Sequence, residues 1–235
     1  MESQFLEAIV KNDIEFVRLL IQNPQIDPSI KDNIAIRSAS QKGHTEIVQL
    51  LLSDLRVDPS ANNNEAIRSA SFYGHLKVVQ LLLSDLRVEP SDKNNEAIQS
   101  ASYYDDLKVV ELLLQDPRVD PSANNNQAIR DASIWGNLKV VKLLIRDPRV
   151  DFNAIVNEEM KRKLLNEEKN KLRKELSFRY QVIKQASPQI TFEGKLKSQI
   201  PQSLLRKIVY ISKYQEANLS VTLAALAELK IDMCI

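Results

Sequence analysis

The sequence predicts an all-α fold, a solenoid of helix-turn-helix repeats followed by a helical C-terminal extension. The first observation is a block of 31 residues that recurs almost unchanged four times, at 33–63, 64–94, 95–125 and 126–156. Units of about 20 to 50 residues are typical of solenoids, because so short a unit cannot bury its apolar face alone and must pack on its neighbours. The second observation is that each block contains two stretches with the apolar spacing of a helix.

The first stretch of each block combines an apolar stripe with small residues. In the second copy Ala66, Ile67 and Ala70 form the stripe, and Gly74 follows where a helix ends on a left-handed residue. Because alanine lets helices approach closely, we expect these positions to be buried in every copy. They are Ala35, Ala66, Ala97 and Ala128, then Ile36, Ile67, Ile98 and Ile129, and then Ala39, Ala70, Ala101 and Ala132.

The second stretch predicts a second helix in each copy. Val78, Val79, Leu82 and Leu83 recur at helical spacing, and Pro90 prevents the helix from continuing. The valines and the paired leucines are expected in the core: Val48, Val79, Val110 and Val141, with pairs such as Leu81 and Leu82. The loop that follows, VDPSANNN in two copies, contains proline, serine and asparagine, which favour turns, and we expect its polar side chains to cap the next helix.

The segment 70–83, ASFYGHLKVVQLLL, resembles the A-A-x-x-G-H-x-x-V-V-x-L-L-L core of the ankyrin repeat, and four copies in register carry the resemblance. Residues 1–32 resemble a degenerate N-terminal copy, because Ala8 and Val17 precede Ala39 and Val48 by 31 residues. The resemblance implies five ankyrin-like repeats over 1–156, ending in four regular copies.

Two departures from the family pattern limit what the resemblance implies. The family's T-P-L-H is replaced by EAIR at 65–68, so the hydrogen bonds of its threonine and histidine are not carried over. The unit is also two residues shorter than the usual length of about 33. The loss falls in the loop that forms a projecting β-hairpin in the family, so we expect short turns there.

Two adjacent positions before the Gly-His step differ most between copies, while the core positions stay the same. In ankyrin proteins these positions face the concave groove and commonly contact targets, so the resemblance implies a protein partner bound there. The residues are Gln41 and Lys42, Phe72 and Tyr73, Tyr103 and Tyr104, and Ile134 and Trp135. Aromatic side chains suit such a site, since they offer a large contact area for few rotatable bonds.

These residues also fit two roles that need no external partner. In the first, the chain's own C-terminal part covers them, and in the second the rings only pack along their own helices. One helical turn earlier lie residues that we expect to form a rim, unless they are only solvated charges: Arg37, Arg68, Gln99 and Arg130.

The Gly-His step itself changes along the chain. His44 and His75 occupy the family's histidine position, where the imidazole ties the turn together, but Asp106 and Asn137 replace it later, so we expect no metal site. Asp105 replaces the left-handed glycine in the third copy, and we expect strain there and the weakest joint of the stack.

Residues 157–235 no longer follow the repeat. Leu165, Leu172, Leu176 and Ile183 share one narrow face of a predicted helix, for which the expected role is to cap the last copy. A coiled-coil contact with another chain is the second possibility. Nucleic acid is the third and an unlikely partner, because glutamates are interleaved with the lysines.

Farther along, the segment 200–208, IPQSLLRKI, resembles the L-P-x-x-L-L-x-x-I opening of an F-box. The alternative function is therefore a substrate adaptor for a ubiquitin ligase, docked through residues 200–235.

Composition indicates a soluble, cytoplasmic protein, in its own cell or in the cytosol of a host cell. The net charge is +1, 43% of the residues are hydrophobic, no apolar run approaches the roughly 20 residues of a membrane span, and no secretory signal precedes the repeats. Two histidines, the single Cys234 and four glycines assemble no catalytic triad, metal site or phosphate loop. We therefore expect a non-catalytic, monomeric interaction protein without a cofactor.

Overall fold

The computed structural model describes the backbone of residues 1–186, with side chains through residue 171 and at Lys174. Within this range the chain forms eleven α-helices and one short 3-10 helix, and no strands. Residues 1–157 form one compact unit, and the last helix belongs to a second unit that begins at Glu158. The prediction of an all-α helix-turn-helix solenoid is confirmed.

The helices of the first unit alternate between two layers. The first helices of the pairs pack on one another, and the second helices do the same. The elements are α1 (Glu2–Val10), α2 (Ile14–Ile21), α3 (Ile30–Lys42), α4 (Thr45–Leu52), α5 (Ala61–Phe72), α6 (Leu76–Leu83), α7 (Asp92–Tyr103), α8 (Leu107–Leu114), α9 (Ala123–Ile134), α10 (Leu138–Leu144), the 3-10 helix (Phe152–Ala154) and α11 (Glu158–Ala186). Short turns join the two helices of each pair, and longer loops join one pair to the next. We call these two sides the turn edge and the loop edge.

The predicted core lies between the layers. Ala66, Ile67 and Ala70 are fully buried, as are their equivalents in the other copies and the repeated valines. One detail of the prediction is wrong, since Leu82 is buried but Leu81 is only half-buried. Helical spacing explains the difference, because residues 78, 79 and 82 share one face of α6 and residue 81 lies on its flank.

At the loop edge, the first helices of the four copies begin with a left-handed turn. Three consecutive residues have φ between 50° and 65°, in the runs 31–33, 62–64, 93–95 and 124–126. This conformation costs most L-residues roughly 1–2 kcal/mol each, and asparagine and aspartate tolerate it best. The repeated asparagines of the sequence therefore match the backbone that they occupy.

The last asparagine of each run connects the start of its copy to the loop that ends the same copy. The Oδ1 atom of Asn64 accepts a hydrogen bond of 2.8 Å from the backbone N–H of Glu89, in the next loop. The same bond, of 2.7 to 2.8 Å, recurs from Asp58 to Asn33, from Asp120 to Asn95 and from Asp151 to Asn126. The expectation that polar side chains of the loop cap the next helix is wrong, because α3, α5, α7 and α9 begin without a side-chain cap hydrogen bond. The asparagines are left-handed and lack the extended conformation of an N-cap.

An arginine at the same edge makes a second connection. Arg87 binds the carboxylate of Asp85 at 2.6 Å and donates to the backbone carbonyl of Val57, in the preceding copy, at 2.7 Å. Equivalent arginines act alike: Arg56 on Ile26, Arg118 on Val88 and Arg149 on Val119. These side-chain hydrogen bonds lower the pKa of the aspartates, which are Asp54, Asp85, Asp116 and Asp147.

Helix α11 follows the repeats. Met160 and Leu164 are buried, whereas Leu165, which the sequence placed on the apolar seam, is half-buried. The other seam side chains, at 172, 176 and 183, and the F-box-like segment 200–208 lie outside the described residues. The repeat boundaries and the capping role of 157–235 stay predictions. Among the described helices, none has both the length and the apolar character needed to cross a membrane.

Candidate interaction surface

Of the eight predicted partner-binding residues, the six of the last three copies lie where α5, α7 and α9 end, at the turn edge. Five of them are exposed, from 38% for Phe72 to 60% for Trp135, and Tyr103 is half-buried. Side chains this large and this exposed are unusual as a group unless another surface covers them. We call the six residues the aromatic strip: Phe72, Tyr73, Tyr103, Tyr104, Ile134 and Trp135.

The rings of the strip contact one another across the copies. The ring centres of Phe72 and Tyr104 are 4.4 Å apart, and those of Tyr103 and Trp135 are 5.1 Å apart. Within the pairs the rings meet edge to face, at 4.8 Å for Phe72 and Tyr73 and 4.7 Å for Tyr103 and Tyr104. The rings thus form a continuous row over three copies, held in place by one another and still open to solvent.

The strip does not continue into the copy at 33–63. Gln41 and Lys42 stand at the equivalent positions there, and both are exposed. A cavity of about 170 Å³ lies at this end of the strip. Its lining consists of Gln41, Arg68, Ser69, Phe72, Tyr73, Glu96 and Ser100. Pockets that enclose small-molecule ligands are larger, about 300–1,000 Å³, so this cavity suits a single side chain.

Two of the predicted rim arginines bind the next copy. Arg37 pairs with Glu65 at 2.9 Å and Arg68 pairs with Glu96 at 3.1 Å, and both arginine side chains are largely buried. The Gln99 side chain donates to the carbonyl of Asn94, five residues earlier. Arg130 is exposed and has no ion pair among the described residues. The sequence did not indicate these ion pairs, and a rim role fits Arg130 better than Arg37 or Arg68.

The turn edge carries its own column of contacts between copies. Nε2 of His75 donates to the Gln41 carbonyl at 2.9 Å, and Nδ2 of Asn137 donates to the carbonyls of Ser102 and Tyr103, each at 2.9 Å. His44 lies 3.4 Å from the carbonyl of Val10. Each of these side chains therefore supplies a donor to the preceding copy.

Asp106, at the same position of the third copy, makes no such contact among the described residues. Its carboxylate lies against Gly74, where a Cβ atom would collide with it, and accepts no hydrogen bond among the described residues. Burial raises the pKa of Asp106, the neighbouring Asp105 raises it further, and His75 lowers it. Asp105 adopts the predicted left-handed conformation, with φ of 62°.

Sequence reasoning missed the two connections at the loop edge. Their signals were present, since an asparagine ends each loop in every copy and an aspartate stands two residues before an arginine in each copy. What the sequence lacks is the partner: a backbone N–H or carbonyl 25 to 30 residues away leaves no pattern of its own.

Within the part of the chain that the structure describes, no cluster of three or more His, Cys, Asp or Glu side chains could hold a metal ion.

The repeats match a known protein family. A family model for ankyrin repeats, in three copies, matches residues 5–94 and again residues 69–156. No curated protein gives a significant match. Ankyrin repeats are protein–protein interaction modules and are generally not catalytic. Because the matches span about two thirds of the chain and its helices pair in the same units, the chain belongs to the ankyrin repeat family.

Proposed function

We propose that this chain is a non-catalytic cytoplasmic scaffold that binds a protein partner along the aromatic strip, on the concave face of the stack. One observation carries the proposal: an exposed and continuous row of rings crosses three copies at the two positions where the copies differ most. Gln41, Lys42 and Arg130 flank this row and supply polar contacts at its two ends.

The contacts within the strip favour binding. A side chain that is ordered only on binding costs about 0.5–1.5 kcal/mol of conformational entropy. Phe72, Tyr104 and their neighbours already contact one another in the free chain. Much of this conformational entropy is therefore lost on folding and not on binding. Burial of large apolar rings then supplies the affinity, as in the aromatic hot spots of other interfaces.

The length of the strip limits the partner's binding segment. Packed helices lie about 8–10 Å apart, so three copies span roughly 20 Å. An extended segment of about six residues, at roughly 3.4 Å per residue, crosses that distance, and so does a helix of about four turns. The cavity beside Phe72 and Tyr73 would receive one side chain at the end of such a segment.

Affinity capture with matched variants tests the proposal. Wild-type chain is compared with a triple variant, F72S with Y104S and W135S, and with a control, L55S with L86S. The control residues are 93% and 94% exposed and lie away from the strip, so the control also removes exposed apolar groups. Partner proteins should be lost with the triple variant and retained by the control. Equal capture by all three chains contradicts the proposal.

The purified partner then allows a quantitative test. Tyr104→Ala or Trp135→Ala should cost about 2 kcal/mol of binding, a roughly 30-fold rise in Kd, while the melting temperature stays nearly unchanged. The exposure of both side chains is the reason that folding is spared. Unfolding on mutation, or an unchanged Kd, would remove these residues from the site.

A ubiquitin-ligase adaptor is the second proposal and rests on the F-box-like segment 200–208. Deletion of residues 200–235 should abolish association with a ligase and leave binding at the aromatic strip intact.

A further inference from the structure

A row of lysines accompanies the aromatic strip. Lys77, Lys108 and Lys139 are each the second residue of a second helix, α6, α8 and α10. All three side chains are exposed, and none forms an ion pair or hydrogen bond among the described residues. In the two copies that precede them, Glu15 and Glu46 occupy the same position.

Helix stability does not explain these lysines. The N-terminal turn of a helix carries a partial positive charge, so it favours glutamate and disfavours lysine. Helices α2 and α4 follow this preference with an acidic first turn, whereas α6, α8 and α10 have none. Three of the five second helices therefore begin with a residue that weakens them slightly.

The lysines occur only in the copies that carry the strip. The two copies with glutamate have Val10-Lys11 and Gln41-Lys42 at the strip positions, without a ring. In the other three, the lysine follows the second strip residue by four positions, across the short turn. The ring of Tyr73 stacks on His75, within that turn, so it leans towards the start of α6. The two rows therefore run side by side along the turn edge.

We propose that the partner's binding segment carries Asp or Glu side chains beside its apolar anchors, and that these carboxylates meet Lys77, Lys108 and Lys139. This inference rests on the proposed function and names the chemistry of the partner. Charge complementarity at the border of an interface mainly steers approach and fixes orientation. With copies about 10 Å apart, matching carboxylates would recur at roughly every third residue of an extended segment or every seventh of a helix.

Other charges at the turn edge make the three lysines unequal. Asp105 and Asp106 lie in the turn of the third copy, directly before Leu107 and Lys108, and the Asp106 carboxylate lies against Gly74, three residues before Lys77. Their negative charges therefore reduce the positive potential around Lys77 and Lys108. At the fourth copy Gly136 and Asn137 form the turn and bring no acidic side chain, and on α9 the exposed Arg130 lies beside the half-buried Asp131 and offsets its charge. The attraction for an acidic segment is therefore strongest around Lys139.

Selection from a displayed library of random peptides tests the inference. Peptides of about twelve residues are long enough, when extended, to cross three copies. The library is selected on the full wild-type chain, on K77E with K108E and K139E, and on the strip variant F72S with Y104S and W135S. Glutamate is the residue that α2 and α4 already carry at this position, so the charge-reversed chain should fold.

The expected result is a change in peptide charge that follows the lysines. Peptides selected on wild-type chain should combine acidic with aromatic or aliphatic residues, those selected on the reversed chain should lose the acidic bias, and the strip variant should select neither. For the best wild-type peptide, the reversal should raise Kd about tenfold or more at low salt and less at about 0.5 M NaCl, and K139E alone should have the largest single effect.

Three outcomes would count against the inference, and they differ in whether the proposed function survives. Peptides that need the strip but show no acidic bias, or whose Kd is unchanged by the reversal, overturn this inference and leave the proposed function standing. If no selected peptide depends on the strip, both fail. In the third outcome, an oligothymidylate probe binds the chain and loses this binding on lysine reversal but not on strip mutation. That result overturns the inference as well, because the lysines would then bind phosphate groups.

Discussion

The loop edge and the turn edge join the same copies by different chemistry. At the loop edge an asparagine and an arginine repeat their contacts in every regular copy, with Asn64 on Glu89 and Arg87 on Val57 as one example. At the turn edge histidine or asparagine makes the bridge, Asp106 at the same position makes none, and the neighbouring strip residues differ between copies as well. The constant edge holds the stack together, so the other edge is free to vary and to bind.

The largest effect should come from breaking a connection at the loop edge. Asn95→Ala removes the acceptor for the N–H of Asp120 and places alanine at a left-handed φ of 65°. Leaving that N–H without a partner costs about 1–3 kcal/mol, and the backbone strain adds about 1 kcal/mol. Urea unfolding should therefore show a loss of about 2–4 kcal/mol in the free energy of unfolding.

The neighbouring Asn94 supplies a matched control. It is left-handed as well, with φ of 59°, but its side chain is exposed and, among the described residues, makes no bridge to the following loop. Asn94→Ala should cost only the strain, about 1 kcal/mol. Equal losses for the two variants would mean that the conformation of the turn, and not the bridge, stabilises the loop edge.

The second effect is smaller and concerns the turn edge. Asp106→Asn gives the third copy the donor that Asn137 uses in the fourth, so it should stabilise the chain by about 1 kcal/mol. The reciprocal change, Asn137→Asp, removes donors from the carbonyls of Ser102 and Tyr103 and should destabilise by about 1–2 kcal/mol. Thermal or urea unfolding of both variants measures the two changes in the free energy of unfolding.

The pH dependence of the same two variants separates charge from hydrogen bonding. Because burial raises the pKa of Asp106, this carboxyl contributes stability below its unfolded pKa and loses it as the pH rises through the folded pKa. The advantage of Asp106→Asn should therefore be larger at pH 7 than near pH 4, and an unchanged difference would contradict this account. The four aspartates of the loop edge have lowered pKa values and act in the opposite sense, since their contribution is lost as the pH falls.

Much of this comparison could be predicted from the sequence, and the missing part has a physical cause. The helices, the buried Ala-Ile-Ala positions and the left-handed Asp105 follow from local patterns, because periodicity and turn chemistry act within a few residues. The strip positions followed from comparing copies. The bridges of Asn95 and Arg87 did not, because their partners are backbone atoms 25 to 30 residues away and any residue type supplies those atoms.

The smallest effect concerns the buried serines that directly precede the strip positions. Ser40, Ser71 and Ser102 are fully buried, and their hydroxyl groups have no hydrogen-bond partner, whereas Ser133 donates to the carbonyl of Arg130 and accepts from the N–H of Val156. A buried hydroxyl without a partner gains nothing to offset its desolvation, so Ser71→Ala should be neutral or stabilise by up to about 1 kcal/mol.

The equivalent change in the last copy should have the opposite sign, and this contrast tests whether near-identical copies are energetically equivalent. Ser133→Ala leaves the N–H of Val156 without its acceptor and should cost about 1 kcal/mol in urea unfolding. A similar loss for Ser71→Ala would mean that its hydroxyl finds a partner in solution. Different signs would show that the end of the stack uses a contact that the interior copies lack, although all four have serine at that position.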